Sequence, residues 1–376
     1  MGGSAFASTL SSTAFPRIPP AVYRAVKDRL TPRLETLYSV VSTPFEAPEK
    51  QDHGDVDFLV CEPRDARALE VPHAQVQAAL NAKYVIPAAG NRTSNYACLV
   101  ERGEWSKLGY GAEEEARRSA AAQDNQADIY YQVDVHVCTD RAAFERINFH
   151  HSYGDLGMIL GLISRNKNLA FGVKGLKIPQ PPRAPFQLSE SMDDIVKYMG
   201  LSMERWKAGF ETKAEIFQWV ATSSLFDPMR FRSEGQGITK VNPERKMYAE
   251  FVQWVNEQKE HHDTSCRVLD KDEQVQHALK YFGRKEEFDR LAKEDADRVR
   301  LKAAFNGTKV REWTGLTGPQ WMELKSIMDR VRQIVGGEPG ILDLLEESGE
   351  DGLKALVLRT KEELELEQVT EKLKVL

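Results

Sequence analysis

Asp55 and Asp57 alternate with apolar residues in the run Gly54-Asp55-Val56-Asp57-Phe58-Leu59-Val60, and Asp134 is framed the same way in Tyr131-Gln132-Val133-Asp134-Val135-His136-Val137. Successive side chains of a strand point to opposite faces, so Val56, Phe58 and Val60 turn to a core while Asp55 and Asp57 share the other face, about 7 Å apart at Cα. If the two strands are neighbours, three carboxylates converge on one patch of a sheet. Such a patch repels itself unless positive charge sits in it. Hard divalent cations with oxygen ligands, Mg²⁺ or Mn²⁺, are the usual occupants.

Positioning those acids requires a mixed α/β scaffold. The pattern predicts a helix over 21–36, a short strand over 37–41 ending at Ser42-Thr43-Pro44, a strand over 55–62, a helix over 73–82, and strands over 84–87 and 95–100 separated by a Gly90-Asn91 turn. Residues 1–20 are small and polar and read as a disordered tail. Residues 109–126, rich in Ala, Glu, Arg and Gln, read as a mobile insertion. After the Asp134 strand, Ser152-Tyr153-Gly154-Asp155 opens an apolar helix; Ser152 could cap it, or Ser152 and Tyr153 could contact a nucleotide. Residues 169–178 read as a strand pair whose Lys174 and Lys177 could reach phosphates. The Pro-rich stretch 179–185 continues neither helix nor strand and marks a boundary. From Ser189 on the period is helical. The expected architecture is α+β, with a mixed domain over 21–178 and an all-α region over 186–376.

A 376-residue chain with 41% hydrophobic content can bury two or three cores. No run approaches the roughly 20 apolar residues of a membrane span, so no membrane role is expected. Cys61, Cys98 and Cys138 lie in apolar runs, which suits reduced thiols in an intracellular compartment, cytoplasmic or nuclear, and the lack of a Cys-x-x-Cys spacing argues against structural zinc. Residues 1–27 carry no acid and faintly resemble a mitochondrial presequence, but the helix pattern from Val22 to Leu37 argues against that. A net charge of −6 disfavours nucleic-acid binding driven by net charge alone, though it leaves room for local basic patches. His136 shares the Asp134 face and reads as a hydrogen-bonded surface residue. The pairs His150-His151 and His261-His262 lack ligand spacing on one helix face.

The acidic pair on one strand, a third apolar-flanked acid on a later strand and a small polar motif upstream together resemble the nucleotidyltransferase superfamily, whose palm is shared by DNA polymerase β, poly(A) polymerases and CCA-adding enzymes. Asp55, Asp57 and Asp134 match the three acids, and Ser42 and Thr43 match the upstream motif, with hydroxyls where family members usually carry glycine. The segments 151–157 and 171–176 look like a block in phage and fungal nucleotidyltransferase-like proteins, and 305–310 with 315–319 is similar to the helical tail of tRNA nucleotidyltransferases. The resemblance implies a polymerase β-type palm, Asp55, Asp57 and Asp134 as catalytic metal ligands, and nucleotide contacts from Ser42 and Thr43. It also implies transfer of a nucleoside monophosphate from ATP or another nucleoside triphosphate to an acceptor hydroxyl, foremost an RNA 3′ end such as that of a tRNA. Transfer to a protein or small molecule, or a degenerate palm that only binds nucleotide or RNA, are the alternatives. Glu294-Asp295-Ala296-Asp297-Arg298 matches the base-reading motif of CCA-adding enzymes but falls 160 residues after Asp134 (294 − 134), inside a charged helix, and is set aside.

Overall fold

The structure is a computed structural model that describes residues 4–65, 67, 70–88, 92–231, 245–258 and 270–374. The chain divides into two compact units, Met1–Phe282 and Gly283–Leu376.

The first unit is organised by helix α1, Pro20–Glu35, which begins with proline at its first position, where no backbone N–H is needed. Its Val22, Val26, Leu30 and Leu34 recur every four residues and are all buried. They pack with α2, His73–Leu80, on one face of a five-stranded sheet. The strands are β1 Tyr38–Ser42, β2 Val56–Pro63, β3 Ala82–Ile86, β4 Thr93–Leu99 and β5 Tyr130–Val137, in the order β1-β2-β5-β4-β3. All pairings are antiparallel except β2 with β5, whose parallel alignment requires the long crossover through α2, β3 and β4. Val56, Phe58, Val60, Val133 and Val135 line the α1 face as their alternation dictates. On the opposite face, Leu59, Cys61 and Cys138 pack beneath Phe144 of α4, Arg141–His151. The three cysteines Cys61, Cys98 and Cys138 are free and buried, and the expected Gly90-Asn91 turn lies outside the described residues.

Two segments are more ordered than their composition suggests. In place of a disordered tail, residues 4–19 form two short 3₁₀ turns in which Phe6 stacks on Phe15 at 5.2 Å and both bury against Ala97 and Tyr130. Two aromatic anchors outweigh a polar majority there. The 109–126 insertion is the helix α3, Gly111–Gln123, tied down by Glu114. Burial by itself would raise the Glu114 carboxyl, but donation from Gly103 N, from the Arg118 guanidinium and from Trp105 N holds it below the usual range. Glu114→Ala strips the partner from two backbone N–H groups and a buried guanidinium, so it should cost about 3 kcal/mol in urea unfolding. An unchanged midpoint would contradict that anchoring role.

The chain continues through α5, Leu156–Asn166, into a second, antiparallel sheet of β6 Ala170–Gly172, β7 Gly175–Gln180 and β8 Arg183–Ser189. The Pro-rich stretch is therefore the turn of the β7–β8 hairpin rather than a domain boundary. The boundary falls after Phe282, because the helices that follow the hairpin belong to the first unit. Helix α6, Met192–Tyr198, is bonded through the Tyr198 hydroxyl to Gln274 of α10, Lys271–Tyr281, at 2.6 Å. Asp155 accepts from Arg245 and from Tyr248 N of α9, Lys246–Glu257. Helices α7, Met203–Ala208, and α8, Lys213–Ala221, complete the unit.

The second unit is all-α: α11 Lys285–Ala304, α12 Gly307–Thr314, α13 Trp321–Val335 and α14 Glu338–Lys374, the last interrupted at Gly349. Asn306 accepts from Thr308 N and Lys309 N and so starts α12 at the turn expected to introduce a helix. Val310, Ile327, Val331, Ile341 and Leu353 form its core. Among the described residues no helix is long and apolar enough to cross a membrane.

Candidate active site

The parallel ladder places Val56 opposite Val133 and Asp57 opposite Asp134. Partners in register on adjacent strands, about 4.8 Å apart, present their side chains to the same face. The two aspartates therefore stand side by side on the face away from α1. Asp55 immediately precedes β2, close enough for its charge to act on both.

Asp134 is held by its neighbours. Asn95, paired with it across β4, donates from Nδ2 at 2.7 Å, and Gln132, two residues back on the same face, donates from Nε2 to both oxygens at 2.9 and 3.1 Å. Burial and the Asp55 charge nevertheless prevail over these donors and push the Asp134 carboxyl up to about 6. Among the described residues Asp57 has no such donor. Its side chain is reached by solvent yet recessed among protein atoms, and that desolvation first, then the charges of Asp55 and Asp134, raise it to about 7 despite the opposing Lys50.

Tyr23 of α1, with Glu46 and His53 of the segment before β2, forms a neighbouring cluster electrostatically coupled to Asp55 and Asp57. The Tyr23 hydroxyl is pushed upward by burial and by Glu46, Asp57 and Asp55, and its ring stacks on His53 at 3.7 Å. Burial lowers His53 to about 3, so its 3.6 Å contact with Glu46 is made by a neutral imidazole at physiological pH. Asn95, Gln132, Lys50 and Tyr23 were not singled out by the sequence. Asn95 carried a readable signal, since it sits at a polar position in the alternation of β4.

The remaining candidates separate. Ser42 ends β1 opposite Leu59, which places it on the same face as Asp57, one strand over; Thr43 follows it just outside the strand. The Ser42 hydroxyl donates to the Thr43 carbonyl at 3.3 Å. Ser152 does not cap α5, whose first flanking residue is Asp155. It is fully buried after the end of α4, donates to Asn148 O at 2.7 Å and accepts from Phe45 N at 3.0 Å. Tyr153 is also buried, stacked on Phe45 at 5.2 Å with its hydroxyl donated to Trp206 O at 2.9 Å. Both hydroxyls are committed to protein partners, so these residues anchor the segment that follows Ser42 and Thr43 rather than contact nucleotide. Tyr153→Phe should cost about 1 kcal/mol in thermal or urea unfolding; an unchanged stability would contradict that anchoring role. Lys174 lies in the β6–β7 turn and Lys177 on β7, and among the described residues neither is tied to the carboxylates. Lys50 takes their place as the cation whose charge reaches Asp57. His136 shares its Nδ1 with Thr93 Oγ1 at 2.7 Å, as a hydrogen-bonded surface histidine would.

In type, the donor set suits a hard divalent cation: oxygen ligands only, two of them carboxyls whose proton affinity is raised by confinement and mutual repulsion. Among the described residues, no three or more His, Cys, Asp or Glu side chains are already gathered into a metal-holding group. No protein-family model matches the chain. No curated protein is significantly similar to it.

Proposed function

We propose that the protein is a divalent-cation-dependent nucleotidyltransferase with a polymerase β-type palm, transferring a nucleoside monophosphate from a nucleoside triphosphate to an acceptor hydroxyl, foremost an RNA 3′ end. The observation that carries the reading is the register match of Asp57 with Asp134, with Asp55 alongside and two of the three carboxyls titrating near neutrality. The arrangement of α1 and α2 behind the sheet, acids in front and Ser42 on the acid face supports the palm assignment.

In the reaction the acceptor oxygen attacks the α-phosphorus, the bond to the bridging oxygen breaks, pyrophosphate leaves and the hydroxyl proton departs to a base. Asp55 and Asp57 would hold the cation on the triphosphate side and Asp134 the one on the acceptor side. Bound divalent cations would supply neutralisation of the pyrophosphate and a more acidic acceptor hydroxyl. Asn95 and Gln132 fix the Asp134 carboxylate, so its oxygens need not reorient as charge develops. Ser42 stands where the resemblance places the phosphate contact, its hydroxyl donated to the Thr43 carbonyl, and the all-α unit is assigned to the acceptor.

α-Labelled nucleoside triphosphates, supplied singly with Mg²⁺ or Mn²⁺ to total RNA, protein and small hydroxylated acceptors, test this. Label in RNA supports the proposal, and label elsewhere reassigns the acceptor. Binding without any transfer favours a nucleotide-binding scaffold, a reading that the absence of glycine from Val40-Val41-Ser42-Thr43 also favours.

A further inference from the structure

Behind the sheet, on the face opposite the carboxylates, lies a cavity of about 380 Å³ bounded by Tyr38, Tyr96, the start of α2 and the ends of β4 and β5. Pockets of this size accept small organic molecules. Its floor is aliphatic, with Val76, Val135 and Val137. One polar atom there is uncompensated. Tyr38 is fully buried, yet among the described residues its hydroxyl has no hydrogen-bond partner. A buried unpaired hydroxyl costs about 1–3 kcal/mol, a penalty that a ligand's polar group would relieve.

The walls carry both signs of charge. Arg92 uses Nε on the Val137 carbonyl at 2.6 Å, which orients the guanidinium and leaves its terminal nitrogens unpaired among the described residues. Glu70 stands at the same cavity with no ion pair to Arg92 or to any other described residue. The Tyr38 hydroxyl responds to both charges. Ser94 Oγ accepts from Ala88 N at 2.9 Å and lies 3.3 Å from His73 Nδ1, which the Tyr96 hydroxyl also approaches at 3.4 Å.

A guanidinium and a carboxylate, unpaired with each other, beside an apolar floor and an unsatisfied hydroxyl, complement a molecule bearing one charge of each sign on an apolar body. We infer that this cavity binds a small zwitterion of the amino-acid type, its carboxylate on Arg92, its ammonium on Glu70 and its side chain over Val76, Val135 and Val137. The site is separate from the carboxylate face, and the inference does not depend on the nucleotidyl-transfer reading.

Titration calorimetry of the full chain with each standard L-amino acid in turn tests it. Saturable binding of one or a few apolar amino acids is expected. It should fall roughly tenfold or more with Glu70→Gln or Arg92→Gln, since each removes one charge-assisted contact. The N-acetyl and carboxamide forms of the amino acid that binds should each lose a similar factor. Tyr38→Phe, which removes an unsatisfied hydroxyl and so preserves the fold, should weaken binding several-fold, and Asp57→Asn on the far face should leave it unchanged. Failure of every amino acid to bind would overturn the inference. So would binding that ignores the Glu70 and Arg92 variants, or preference for a nucleoside over any zwitterion.

Discussion

Asp57→Asn should reduce nucleotidyl transfer at least about a thousandfold while the apo protein melts at a temperature no lower than the parent's. The two outcomes have one cause. Asp57 is crowded by Asp55 and Asp134 in a recess poor in compensating donors, so its charge opposes folding and is available for a cation. Removing the charge relieves the first effect and abolishes the second. Asp134→Asn should lose activity as completely with a smaller gain in melting temperature, because asparagine cannot accept on both positions that Asn95 and Gln132 now serve. Single-turnover transfer and thermal melts on the same preparations check both halves. A variant that keeps activity, or one that loses activity only by unfolding, would contradict the site.

The second large effect is on pH dependence. Asp57 rises from 3.8 to about 7 and Asp134 to about 6 in the folded state, so between about pH 4 and 7 the native chain holds protons that the unfolded chain has lost. Stability from these groups is complete below the unfolded carboxylate range and declines as pH climbs through the folded values. His53 acts the other way. Lowered to about 3 from 6.5, it makes the folded state poorer in protons over much of the same interval, so its contribution falls on acidification. The parent's profile sums the two and is flattened, but the difference between Asp57→Asn and the parent isolates the aspartate. That difference in unfolding free energy should be near zero below about pH 4, grow through neutrality and level off above it. Urea unfolding across this range measures it, and a difference that does not vary with pH would show that Asp57 titrates normally.

The face on which the acids stand was legible in the chain wherever the other face of a strand had to be apolar. Val56, Phe58, Val60, Val133 and Val135 dictate the side on which Asp57 and Asp134 emerge. Register was not legible. That Asp57 meets Asp134 depends on a long crossover that no local pattern encodes. Asn95 and Gln132 stood at readable polar positions, and Gln132 at a same-face spacing from Asp134, but that Asn95 pairs with Asp134 appears only once the ladder is drawn. Local signals misled where tertiary contacts override them. The 179–185 prolines, read as a boundary, close a hairpin, and Ser152, read as an opening cap, sits after the end of the preceding helix because its hydroxyl has Asn148 O within reach. Phe6 and Phe15 order a segment whose remaining residues are small and polar. The helical half was read well as helices and poorly as a domain, because period reveals each amphipathic face but not which face it meets.

The most direct test of the central claim is binding of Mn²⁺ to the nucleotide-free protein, followed by electron paramagnetic resonance at pH 7.5 in the parent and in Asp57→Asn and Asp134→Asn. Saturable binding in the parent, lost or strongly weakened in both folded variants, is the predicted result. Binding of equal strength in all three proteins, or none in the parent even with a nucleoside triphosphate present, would contradict the assignment of these carboxylates to one cation site.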